Sequence, residues 1–201
     1  MLGIFSQMFE VLTFYKPIKA LVEEKHRLFI SIAAMAAIFI IFAAIIAAFS
    51  AGADYVSANF GGAPQGFAAA GGLAGKLAPL PFFFALFLLG GLAGSVAVFA
   101  ISRLFSKSGT LESLLAVNYF LIAACSMFVL VSFVPFAQFA GMIFLFMGAV
   151  LYLYFLNEVF EAMFAVSSGK GMMLLALYLI VCGGMYFALT FALGALKVPI
   201  R

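Results

Sequence analysis

The dominant pattern along the chain is five long apolar runs separated by short polar breaks, at about 28–50, 80–105, 111–134, 139–160 and 172–196. At about 1.5 Å per helical residue, each run is long enough to cross a hydrocarbon core of roughly 30 Å. Lipid offers the backbone no hydrogen-bond partners, so a spanning segment must be a helix or part of a closed barrel. A barrel would show short segments of alternating polarity. These runs are unbroken stretches of Ala, Leu, Phe and Ile. The pattern predicts an all-α polytopic membrane protein, with five transmembrane helices preceded by a short amphipathic N-terminal segment.

Composition strengthens this reading. Of 201 residues, 68% are hydrophobic and only 8% charged, whereas soluble domains run near half apolar and a quarter charged. A soluble fold of this size has too little interior to hide so much apolar surface.

Residues 1–27 form a cytoplasmic or interfacial segment, and 28–201 the membrane domain. Phe5, Met8, Phe9, Leu12 and Tyr15 recur at helical spacing, which predicts one amphipathic face. Pro17 breaks that helix and opens a second short one over 18–27. Two placements are open: flat in the headgroup layer, or packed on the ends of the spans. The start, MLGIFSQMFE, lacks the basic opening and cleavage site of a signal peptide and is expected to stay in the mature protein.

The breaks read as turns. A Gly/Ala/Pro-rich loop occupies 51–79. Ser106-Lys107-Ser108-Gly109 is a turn with Thr110 as the next N-cap, Pro135 stops the third span, and Ser167-Ser168-Gly169-Lys170-Gly171 separates the fourth from the fifth. Lys and Arg accumulate on cytoplasmic flanks. With the N-terminus inside, Lys16, Lys19, Lys25, Arg27, Arg103, Lys107 and Lys170 lie inside, against Lys76, Lys197 and Arg201 outside. Seven against three places the N-terminus in the cytoplasm and the C-terminus outside.

Little in the chain suggests catalysis. The single histidine, His26, precedes the first span, and no Gly-x-Ser-x-Gly, phosphate loop, His-Glu-x-x-His or Cys-x-x-Cys is present. Cys125 and Cys182 fall inside apolar runs and read as small hydrophobes. No catalytic, cofactor or metal site is expected, and the net charge of +3 gives no basic stripe for nucleic acid. Glu158 and Glu161, one turn apart and next to Asn157, are the weak ion-site candidates, because acidic groups at membrane depth are costly. The structural alternative puts them at the inner interface, with Arg103 or Lys107 as ion-pair partners. Gly90 and Gly94 form a Gly-xxx-Gly step for close helix packing, and Gly183-Gly184 offers the same on the fifth span. Asn118, Gln138, Tyr152, Tyr154 and Tyr186 are candidate interhelical polar contacts or interface anchors.

Several stretches together resemble the Yip family, the Ypt/Rab-interacting multispanning membrane proteins. They are Phe14-Tyr15-Lys16-Pro17-Ile18-Lys19-Ala20 before the first span, the turn from Arg103 to Thr110 leading into Leu114-Leu115-Ala116-Val117-Asn118-Tyr119, Pro135, and Gly169-Lys170-Gly171. The resemblance runs from about residue 10 to the end. It implies five spans, a cytosolic N-terminus and, as in eukaryotic relatives, a part in membrane traffic. With about 27 residues before the first span, it points to a prokaryotic cell-membrane homologue, and it supplies no catalytic residue. The function expected is non-enzymatic membrane organisation or trafficking, through the bilayer, membrane-protein partners or a homo-oligomer. The rival is a small transporter or channel using Glu158 and Glu161.

Overall fold

A computed structural model describes residues 2–13, 22, 28–48, 79–132 and 138–195. Among these, all regular structure is helical: α1 (Leu2–Leu12), α2 (Leu28–Ala48), α3 (Pro79–Ser102), α4 (Leu111–Ser132), α5 (Gln138–Phe164) and α6 (Ser168–Ala195). Apart from Val22, the short helix expected over 18–27 lies outside the described residues, as do the loop up to residue 78, the Pro135 stop and the C-terminal tail.

Helices α2 to α6 are long and apolar enough to cross a membrane. They share no common degree of burial. In α4, 67% of the spanning window is buried, against 28% in α2, α3 and α5 and 17% in α6. Helix α4 is therefore the axis of the bundle, contacting α1, α2, α3 and α5, while α6 closes the side between α3 and α5. Leu114, Leu121, Leu156, Phe155 and Phe160 form its core. The outer faces carry Phe29, Ile40, Phe146, Ile180, Phe187 and Phe191, which are large, apolar and exposed. In a bilayer such side chains meet lipid.

Helix ends follow local chemistry. Thr110 caps α4 as expected: its Oγ1 accepts the backbone N–H of Ser113 at 3.1 Å. Helix α3 stops at Ser102, three residues before the expected end. Leu104 and Phe105 then donate to the carbonyls of Ile101 and Ser102 in a tightened last turn. Gly109 has φ +76°, and a Cβ there would sit 2.7 Å from Met163 Cγ, so the linker turns on a glycine against α5.

The break between α5 and α6 is narrower than expected. Ala165 adopts φ +49°, and Val166 N–H donates to Glu161 O at 3.2 Å, a Schellman end with alanine where glycine is usual. Helix α6 begins at Ser168, with Gly171 N–H on the Ser167 carbonyl. Gly169 and Gly171 lie inside its first turn and do not break it. Gly171 instead allows close approach, because a Cβ there would stand 2.8 Å from Glu161 Cγ and 2.9 Å from Asn157 Oδ1.

Helix α1 packs on α4, which favours the packed placement of the N-terminal segment over a free surface helix. Met8 and Val11 are fully buried while Phe9 is 64% exposed. The buried edge is thus rotated from the stripe read in the sequence, which included Phe9 and did not name Val11.

Candidate functional site

Among the described residues, the most organised polar feature lies in the middle of the bundle, where α3, α4, α5 and α6 meet. Asn118 on α4 is completely buried. Its Nδ2 donates to Ser95 Oγ on α3 and to the Tyr178 hydroxyl on α6, both at 3.0 Å. Its Oδ1 accepts the Tyr152 hydroxyl of α5 at 2.7 Å. The two tyrosine oxygens are themselves 2.7 Å apart. Each hydroxyl has one proton, and one assignment uses them all: Tyr178 donates to Tyr152, Tyr152 to Asn118 Oδ1, and Asn118 Nδ2 back to Tyr178. The circuit closes with its donors and acceptors matched.

Two further side chains bond to the backbone of α3. The Tyr119 hydroxyl donates to Leu88 O at 2.7 Å, and the Cys182 thiol to Gly90 O at 3.3 Å. Glycines make these approaches sterically possible. A Cβ on Gly94 would fall 2.6 Å from the Tyr178 ring, and one on Gly91 3.0 Å from Tyr119 Cε1. The Gly90–Gly94 step therefore works inside this bundle, with Gly94 against α6. Gly183 and Gly184 have nothing within 4 Å of a Cβ position. Ser95, Gly91 and Tyr178 were not singled out in the sequence. The faint signal for the first two was that Gly91 and Ser95, four apart, share one face of α3.

Next to this node lies a cavity of about 410 Å³, bounded by all five long helices. Its α3 lining, Leu80 to Gly91, belongs to the N-terminal half of that helix, and its α4 lining, Ile122, Cys125 and Ser126, to the C-terminal half. The cavity therefore occupies the half of the bundle away from the α3–α4 turn. Its walls are mostly aromatic and aliphatic, and Tyr152, Tyr178 and Cys182 bring the polar node to its floor.

The carboxylates singled out in the sequence stand elsewhere and are bonded locally. Glu158 accepts the Tyr154 hydroxyl and Glu161 accepts Asn157 Nδ2 at 2.6 Å, each within one turn of α5. The ion pairs expected with Arg103 or Lys107 are not formed. Arg103 donates to Lys107 O at 2.6 Å and Gly109 O at 2.8 Å, and stacks over Phe99 at 4.2 Å. A guanidinium placed just past the end of α3 finds the free carbonyls of its own turn first. Lys170 lies over the Phe105 ring at 5.4 Å. Tyr154 is exposed beside Glu158, the Tyr186 ring packs on Phe187, and the Gln138 side chain lies outside the described residues. Among the described residues no three His, Cys, Asp or Glu side chains gather as a metal set.

Fold and site together define a multi-pass α-helical membrane protein, its helices pinned at mid-height by a buried polar node beside an apolar cavity. No protein-family model, no curated protein and no solved structure matches the chain.

Proposed function

We propose that this protein is a non-enzymatic organiser of its membrane, acting through the bilayer, membrane-protein partners or further copies of itself, as the resemblance to the Yip family implies. In this reading it sits in a prokaryotic cell membrane with the N-terminus in the cytoplasm and the C-terminus outside, following the distribution of Lys and Arg. The observation that carries the proposal is how the interior polarity is used. Asn118, Tyr152 and Tyr178 bond one another in a closed circuit, and the space beside them is walled by groups such as Phe39, Phe83, Phe87 and Leu145. A conduit for polar solutes needs pore-lining groups that can replace the hydration shell. This arrangement instead favours a stiff, lipid-adapted body.

Reconstitution at increasing protein density tests the proposal. The expected result is a change in vesicle size or clustering with no solute flux. Saturable transport of any solute would favour the transporter alternative through Glu158 and Glu161. A reporter fused at Arg201 and active only in the cytoplasm tests the orientation, and silence is the expected result.

A further inference from the structure

The cavity beside the polar node is left unused by that reading, yet its chemistry specifies an occupant. At about 410 Å³ it falls in the size range of small-molecule sites, roughly 300–1,000 Å³. A water molecule there would need two to four polar partners, and polar groups are sparse: the Tyr152 and Tyr178 protons are committed to the node and the Cys182 thiol to Gly90 O, which leaves Ser126 among mostly apolar walls. Left empty, the walls would forfeit the dispersion contacts that close-packed interiors normally make. Two lining residues on α3 and α6, Phe87 and Leu179, are also 41% and 44% exposed. At those residues the cavity wall is continuous with the lipid-facing surface.

We infer that the cavity is a lipid site, holding one acyl chain of a bilayer phospholipid that enters past Phe87 and Leu179 and ends against Tyr152, Tyr178 and Cys182. The chain suits the walls because it is apolar along its length and asks for no hydrogen bond at its tip. It is also the molecule present at that depth in abundance. Gly90 keeps the space open, since a Cβ there would meet only Cys182 Sγ, at 3.9 Å. The inference rests on the bilayer embedding that the proposed function also requires, but not on any organising activity.

The test uses the full chain in nanodiscs doped with a phospholipid carrying a photoreactive diazirine near the end of one acyl chain. Labelled positions are mapped by mass spectrometry after irradiation. Ile122 and Cys125 are each only 5% exposed, so a label on that stretch of α4 must arrive through the cavity. Ile180 and Phe187, 72% and 73% exposed, report ordinary lipid contact. The expected result is labelling of both stretches in the wild type. In Gly90→Leu, α4 labelling should fall on the order of tenfold, because a filled core leaves few voids larger than a water molecule, while α6 labelling is unchanged. Ala149→Phe, filling from α5, should act likewise and covers the case in which the first variant does not fold. Wild-type labelling of α6 without α4 would overturn the lipid site and leave the membrane reading standing. So would α4 labelling that survives both filling substitutions. Absence of label on α6 as well would overturn both.

Discussion

The node around Asn118 and the carboxylates at the end of α5 are both small polar clusters on apolar helices, yet they are built in opposite ways. Asn118 lies fully buried and reaches three other helices, with every bond crossing between elements. Glu158 and Glu161 are partly exposed and bond residues four positions away on their own helix. The contrast follows from the solvent each meets. An unpaired polar group inside a bilayer costs several kcal/mol, so polarity there persists only as a matched set. Near the helix end water can complete the shell, and local partners suffice. The first cluster couples four helices, and the second trims one.

Breaking the central node should give the largest effect. Asn118→Leu removes the one residue bonded to Ser95, Tyr152 and Tyr178 and leaves their hydroxyls short of partners. A loss of about 2–3 kcal/mol in unfolding free energy is expected, read by denaturant titration in mixed micelles. Gly94→Leu attacks the same node through packing, since its Cβ would overlap the Tyr178 ring. Overpacking exceeds the helix-propensity gain, for a net loss of about 1–2 kcal/mol. Gly184→Leu, with open space around it, should not destabilise, and that difference separates crowding from propensity. Away from the node, Ala165→Gly should stabilise by about 0.5–1 kcal/mol, because an alanine at φ +49° is strained where glycine is not. Smallest of all, the Glu158→Gln, Glu161→Gln double variant should melt close to the wild type, with or without divalent cations. A cation-dependent rise in melting temperature confined to the wild type would make the Glu158–Glu161 cluster an ion site and erase the contrast.

The membrane architecture was legible because lipid imposes length and hydropathy on each span separately. The five runs matched α2 to α6 to within a few residues, and Thr110 announced the start of α4 through its own side chain. The Ser167–Gly171 stretch misled because glycine serves two ends. Here Gly171 admits Asn157 and Glu161 against the first turn of α6 instead of ending a helix. Asn118 and Tyr152 stood out as polar residues in apolar runs, but nothing local says that Tyr178 or Ser95 faces them. Such pairings depend on how helices rotate against one another, which hydrophobicity nearly uniform around each helix does not encode. Arg103 failed as a partner for the carboxylates for a related reason. Net charge was readable, whereas the carbonyls of Lys107 and Gly109 that capture it appear only once the turn has folded.

The central claim is that Asn118, Tyr152 and Tyr178 act as one unit, and a double-mutant cycle on Asn118→Leu and Tyr152→Phe measures this most directly. Unfolding free energies of the wild type, both single variants and the double would be read in the same micelles. If the circuit is real, each single variant strands the other end of the Asn118–Tyr152 bond, a cost that the double does not carry, while Tyr178 loses one partner in each single and both in the double. The double should then lose less than the two singles combined, by a coupling of about 0.5–3 kcal/mol. Strictly additive losses would mean that the residues act independently, and the node would be no more than neighbouring polar side chains.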